Sequence, residues 1–225
     1  MNTDYNGLLL VDKPVGPSSF DIIRQLRQIT GFRKIGHAGT LDPLASGLML
    51  MLFGPACKKA ETLTKLDKSY RANVVLGVNS TTGDMEGEKL AVSDREPSRD
   101  EIVAALEKLQ GQITQIPSQY SAIKINGTEA YKLARAGKTV DMPSRQVMVY
   151  SFNLLSFNYP NLEIAWEVSS GTYVRNLAED LGGLLRVGGH LSGLRRTVVG
   201  EYEVGQANVV EGANAEQIRD ALISL

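Results

Sequence analysis

Cysteine is almost absent from this sequence. Cys57 stands alone among 225 residues, which excludes an internal disulfide framework and suits a reducing compartment. Histidine is nearly as scarce: His37 and His190 are the only two, and with one cysteine they make no convincing zinc site. No apolar run approaches the roughly eighteen residues a membrane span needs. The opening Met-Asn-Thr-Asp-Tyr lacks the basic region and apolar core of a signal peptide. There is no P-loop, no G-x-G-x-x-G and no G-x-S-x-G nucleophile elbow. These absences leave chemistry without metal or cofactor, carried by carboxylate, tyrosine and arginine in a cytoplasmic protein.

A strong charge is also missing. The net charge of −1 argues against a general nucleic-acid binder, but the distribution is uneven. Residues 24–37 carry Arg24, Arg27, Arg33 and Lys34 without an acid, and residues 186–196 carry three arginines without one. Residues 55–71 hold five bases against Glu61 and Asp67, residues 121–138 hold four against Glu129, and residues 84–101 hold seven acids against three bases. Basic segments that shared one face would form a phosphate-binding surface despite the neutral total. With 43% hydrophobic and 22% charged residues the composition is that of an ordinary globular protein, long enough to bury a substantial core.

The chain reads as one α+β domain, residues 1–225, with a mixed, mainly antiparallel sheet flanked by helices. A strand over 7–11 is followed by a helix that Ser18 caps with Asp21 three residues on, and that Gly31 ends. An apolar strand over 48–53 precedes a helix opened by Pro55 and running to about 66. A strand over 70–78 leads into a Gly-rich acidic segment, to Lys89, that reads as an exposed loop. Ser98 caps another helix with Ile102, Val103, Leu106 and Leu109 inward. Short strands around 119–125 and a short helix around 128–136 come next. Met148, Tyr150, Phe152 and Leu154 alternate, as do Leu162, Ile164, Trp166 and Val168, predicting a hairpin joined at 159–161. A helix with Leu177, Leu181, Leu184 and Leu185 on one face, a short strand over 197–204 and a terminal helix over 214–224 complete the reading.

The most informative stretch is Gly36-His37-Ala38-Gly39-Thr40-Leu41-Asp42-Pro43-Leu44-Ala45-Ser46-Gly47. One carboxylate sits at its centre among residues that shape backbone more than they fill a core. Gly36, Gly39 and Gly47 permit left-handed or crowded geometry and close approach of a ligand. Pro43 biases Asp42 towards an extended conformation. Asp-Pro among glycines is also an ordinary turn signal, so spacing alone does not make Asp42 catalytic.

This stretch resembles the catalytic loop of the TruB-type tRNA pseudouridine synthases. Four further segments follow the family's order: Asp12-Lys13-Pro14-Val15-Gly16-Pro17-Ser18-Ser19, Lys68-Ser69-Tyr70-Arg71, Ile116-Pro117-Ser118-Gln119-Tyr120-Ser121-Ala122-Ile123-Lys124, and Ser170-Gly171-Thr172-Tyr173-Val174-Arg175. The resemblance implies a pseudouridine-synthase-like catalytic domain that isomerises uridine in the T loop of tRNA, at position 55. Asp42 would be the essential acid, Arg175 its ionic partner, and Tyr70 a platform against the uracil whose hydroxyl takes the C5 proton. Tyr173 would be a second pocket aromatic, and His37 would occupy the space of the flipped base. Lys13-Pro14 would support the loop formed with Gly39 and Thr40. Residues 117–140, with Lys124, Lys132 and Arg135, resemble the family's RNA-gripping insertion. The implied partner is the T arm of tRNA, met by a monomer, with no membrane.

The sequence departs from the family at a few places. Cys57 and Asn176 replace frequent threonines, and Ser170 a frequent lysine. About 25 residues follow the recognisable core, too few for the PUA domain common in bacterial members, so a minimal catalytic domain is expected. That same shortness argues against a guide-dependent relative within a ribonucleoprotein. The competing reading of a different class is an RNA-folding chaperone that binds and releases tRNA independently of turnover. Retention of Asp42, Tyr70 and Arg175 favours the enzyme.

Overall fold

The computed structural model describes residues 5–117, 119, 124, 125, 127–135, 137 and 140–225. In chain order the elements are β1 (Gly7–Lys13), α1 (Ser19–Thr30), β2 (Ile35–Ala38), β3 (Ala45–Phe53), α2 (Ala60–Thr64) and β4 (Lys68–Leu76). Next come β5 (Val78–Ser80), β6 (Lys89–Ala91), α3 (Arg99–Lys108), β7 (Gly111–Gln115), β8 (Lys124–Ile125), β9 (Thr128–Glu129) and α4 (Ala130–Arg135). The chain closes with β10 (Arg145–Asn158), β11 (Asn161–Val168), α5 (Val174–Leu185), β12 (Gly189–Val199), β13 (Tyr202–Glu203) and α6 (Ala215–Asp220). They fall into two compact units, Met1–Arg71 with Leu194–Leu225, and Ala72–Gly193. The class is α+β, with a mixed, mainly antiparallel sheet and flanking helices, as the sequence predicts.

The first unit is built on β3. Its residues Leu48 to Phe53 are all fully buried, which suits a central strand covered on both faces. β1 pairs antiparallel along it from Gly7↔Phe53 to Lys13↔Gly47. Its other edge is shared, antiparallel to β2 from Ile35↔Phe53 to Ala38↔Leu50 and parallel to β12 at Leu194↔Ala45, Arg195↔Ser46 and Arg196↔Gly47. Leu8, Leu10, Leu48, Leu50, Leu52 and Val199 form one apolar cluster. The C-terminal segment lines the free edge of β1, with Leu8 and Ile223 exchanging two 2.8 Å backbone bonds. That contact covers an edge that would otherwise present unpaired amides.

In the second unit the strand order is β4-β11-β10-β7. Leu162, Ile164, Trp166 and Val168 of β11 point inward as predicted. On β10 the prediction is off by one over its first half: Val147 and Val149 are buried, whereas Tyr150 is 43% exposed. The reason is a bulge, for the pairing shifts between Val149↔Val168 and Ser151↔Glu167. One extra residue moves the inward set to the other parity.

Three other expectations change. Residues 54–59 form a 3₁₀ turn before α2 rather than part of one helix to 66. The Gly-rich acidic segment is not a simple exposed loop: Ser80, Gly83 and Asp84 are buried inside it, and β5 and β6 pair across it. The strand predicted over 197–204 is two: β12 starts at Gly189 and ends at Val199, and β13 follows at Tyr202–Glu203. The predicted strands around 119–125 and the insertion 117–140 lie partly outside the described residues; α4 falls where the short helix is predicted.

Candidate active site

The Asp42 loop joins β2 to β3 in the first unit. Ala45 N–H donates to the Asp42 carbonyl at 3.0 Å, closing a β-turn with Pro43 at its second position, where the ring's fixed φ fits. Three attachments hold this turn. The Ser19 hydroxyl donates to the Leu41 carbonyl and accepts from the Leu41 N–H, both at 2.9 Å. Gly16 N–H donates to the Pro43 carbonyl at 2.8 Å. The third attachment is Arg196.

Arg196 was not singled out in the sequence, and it is the residue around which the loop is arranged. It is 1% exposed. Its Nε donates to Leu48 O at 2.7 Å, Nη2 to Gly39 O at 3.1 Å and Nη1 to Thr40 O at 3.3 Å. The glycines of the loop serve this contact. Gly47 has φ +103°, and a Cβ there would stand 2.2 Å from the Arg196 carbonyl oxygen; at Gly39, with φ +94°, it would meet Nη1 at 3.5 Å. The predicted crowding is real at Gly47, where the close partner is the β12 backbone, whereas at Gly39 the positive φ, not space, favours glycine. Gly36 has ordinary strand geometry.

Two lysines share the neighbourhood. Lys13 is fully buried, and its Nζ donates to Pro14 O at 2.9 Å and Pro17 O at 2.8 Å. It shapes the turn ahead of α1. Lys68 is also buried, with Nζ donating to Thr64 O at 2.8 Å and to Leu66 O. Burial lowers each ammonium to a pKa of about 8; Asp42 pulls Lys13 back up, and Arg196 pushes both further down. Of these cations, Lys13 lies close enough to the half-buried Asp42 carboxylate for the two charges to interact.

His37 lies on β2 opposite Met51. It is half-buried, and its Nδ1 finds no hydrogen-bond partner among the described residues. Burial, then Arg196, lowers its pKa, so the ring is neutral near pH 7. Thr40 is exposed, and Tyr70 is buried at 8% exposure on β4. Lys13, His37, Gly39, Thr40, Asp42 and Tyr70 thus all belong to the first unit.

Arg175, Tyr173 and Lys132 belong to the second. Arg175 lies in the first turn of α5, and its Nη1 donates to Asp84 Oδ2 at 2.8 Å, with both side chains under 10% exposed. Asp84 also accepts from the Thr82 hydroxyl at 2.5 Å and from Glu86 N–H at 3.0 Å. Glu179 lies in the same cluster; burial and Asp180 raise its pKa while Arg175 opposes them. Tyr173 caps α5 and is clamped through its peptide by Gln115, whose amide accepts from Tyr173 N at 2.9 Å and donates to Tyr173 O at 3.2 Å. The Arg145 guanidinium stacks 4.5 Å from its ring centroid. Lys132 is exposed on α4, and the side chains of Lys124 and Arg135 lie outside the described residues.

The predicted basic surface is only partly realised. In residues 186–196, Arg196 is internal and Arg195 is bound to Asp12 by 3.0 and 2.7 Å bonds; in residues 55–71, Lys68 is internal and Lys65 pairs with Glu61. Arginine 196 had one legible signal, a cationic run without acids next to apolar strand residues, but that pattern does not distinguish a buried arginine from a phosphate contact.

Over 98% of this chain the fold matches a chain from a crystal structure of a Cbf5–Nop10–Gar1 complex, with a TM-score of 0.74 and 25% identity, spanning 60% of that longer chain. Residues 27–174 match the TruB family pseudouridylate synthase N-terminal domain, and residues 175–223 the tRNA pseudouridylate synthase B C-terminal domain. The chain is 43% identical over 206 residues to the tRNA pseudouridine synthase B of Pseudomonas aeruginosa strain UCBPP-PA14, covering 92% of this chain and 68% of that protein. To the enzyme of the same name in Cupriavidus metallidurans it is 42% identical over 225 residues, covering 98% and 72%. The chain belongs to the TruB family of pseudouridylate synthases.

Proposed function

We propose that this protein converts uridine to pseudouridine in tRNA, at position 55 of the T loop, with Asp42 as the essential acid. The observation that carries the reading is the Asp42 turn itself, a single carboxylate on backbone held by Ser19, Gly16 and Arg196 within the family's motif. The reaction breaks C1′–N1, turns the uracil and forms C1′–C5. It needs one acid beside C1′ and a pocket that keeps the detached base. Two routes fit one carboxylate: addition to C1′, as in retaining glycosidases, or removal of the 2′ proton to give a glycal. In either, uracil is both leaving group and later nucleophile, so no second carboxylate is required.

Arg175 orients and neutralises Asp42 through charge-assisted hydrogen bonds. Tyr70 stacks on the uracil and accepts the C5 proton, with Tyr173 as a second wall. A folded T loop hides its target, so the nucleotide flips out of its stack. His37, neutral and with an open Nδ1, fills the vacated space. Lys124, Lys132 and Arg135 grip the RNA by backbone and shape. The chain works as one monomeric, cytoplasmic catalytic domain.

The test is incubation of parent and Asp42→Asn with unmodified tRNA transcript, with primer-extension mapping after carbodiimide labelling. A single T-loop signal from the parent, reduced roughly 10²–10⁴-fold or more in Asp42→Asn while binding persists, is expected. Structure-dependent binding without any signal from the parent would overturn the enzyme reading and leave the tRNA chaperone.

A further inference from the structure

Helix α1 carries a row of side chains that the proposed chemistry does not use. Phe20, Arg24 and Arg27 stand at i, i+4 and i+7, on one face. Phe20 is 53% exposed, and the guanidinium carbons of Arg24 and Arg27 lie 5.5 and 6.0 Å from its ring centroid. Arg33 and Lys34, both exposed, follow the Gly31 cap. Asp21 is the one acid between Ser18 and His37, and it is already held by the Ser18 backbone and hydroxyl at 2.8 and 2.6 Å. Its 2.6 Å pair with Arg24 is exposed, and such pairs hold their partners weakly.

The row begins at the catalytic loop. Phe20 adjoins Ser19, whose hydroxyl clamps Leu41 beside Asp42. Val15, 65% exposed, sits in the turn whose Gly16 is bonded to Pro43. Two exposed apolar side chains thus border the loop where a flipped nucleotide leaves neighbours unstacked, and cations continue along the helix from one of them. From Phe20 to Arg27 is about 10 Å of helix axis, close to three nucleotide steps at about 3.4 Å each. A phenylalanine flanked by guanidinium groups suits an unpaired base better than an acidic protein segment, which would engage the cations and leave the ring in water.

We propose that the Phe20–Arg24–Arg27 face, extended by Arg33 and Lys34, docks the RNA strand flanking the target uridine. Phe20 stacks on an unpaired base next to the flipped nucleotide, and the arginines take the phosphates beyond it. This rests on the tRNA reading above, and the experiment separates the two. Phe20→Leu, the double variant Arg24→Gln/Arg27→Gln, and Arg219→Gln as a charge control on α6 are compared with the parent. Binding of unmodified tRNA transcript is measured from 50 to 200 mM salt, conversion is measured separately, and melting temperature is checked for each.

With melting temperatures preserved, Phe20→Leu should weaken binding about tenfold. The double variant should lower the salt slope by roughly 1.4–1.8, the share of two phosphate contacts, and Arg219→Gln should leave it unchanged. Parent-like affinity and slope in both α1 variants would overturn the docking surface, as would an equal fall in slope with Arg219→Gln. Binding that depends on the α1 face in a parent that makes no pseudouridine would sink the catalytic reading alone. Conversion by the parent with binding indifferent to that face would sink this proposal alone.

Discussion

At Arg196 every donor-bearing nitrogen of the side chain faces a carbonyl of the same short stretch: Leu48, Thr40 and Gly39. A planar fork reaches three acceptors at once; an ammonium on a flexible stem does not. Arg196→Lys should therefore keep the charge but release the loop. The expected result is a fall in kcat of about 10-fold or more, with tRNA affinity nearly unchanged, because a misplacement of about 1 Å is enough to slow the chemistry. Equal losses in affinity and kcat would instead mean that Arg196 reaches the RNA. At Asp84 the issue is burial. Its carboxylate and the Arg175 guanidinium are both under 10% exposed, and removing the carboxylate takes a 2.8 Å ion-pair partner from a buried cation. Asp84→Ala should cost about 3–5 kcal/mol in urea unfolding; a loss under about 1 kcal/mol would show that other groups satisfy Arg175.

At the scale of elements, α1 does two jobs. Its capping box is complete, with Ser18 accepting from Asp21 N–H and the Asp21 carboxylate accepting from Ser18 N–H. One residue on, Ser19 fixes the Asp42 turn through Leu41. Fraying of the first turn would therefore loosen Leu41. Ser18→Ala should lower stability by about 1 kcal/mol and the melting temperature by roughly 2–4 °C, with a measurable drop in kcat. An unchanged kcat would separate the cap from the site. The elements were largely legible in the sequence, since caps, periodicity and a Gly terminator act within a few residues. The bulge in β10 was not: nothing local marks Tyr150 as the extra residue, and only its pairing with β11 sets the parity of the inward side chains.

For the whole molecule, net charge of −1 conceals two buried lysines beside the site. Both have folded-state pKa values lowered from 10.5 to about 8. Between pH 8 and 10.5 the unfolded chain binds more protons at these groups than the folded one, so they make stability rise with pH there. Below about pH 8 both states are protonated and the contribution is flat. Parent and Lys68→Met unfolded in urea at pH 7.5, 9 and 10 should reveal it. The parent should gain on the variant by about 1.4 kcal/mol per unit of lowered pKa crossed, and a pH-independent difference would show that Lys68 is protonated alike in both states.

The sequence alone determined the family and much of the secondary structure that frames the Asp42 turn, because that turn and the helix caps are written in contiguous residues. Tertiary structure alone decided which charges are internal. Arg196 lies more than 150 residues from the loop it holds, and it reaches Gly39 and Thr40 only because β12 runs parallel to β3 past Gly47. Asp84 sits in a stretch whose composition reads as solvated, and it is buried only because α5 brings Arg175 to it. A cationic or acidic run has the same composition whether it faces water or a buried partner, and the pairing of distant strands and helices determines which.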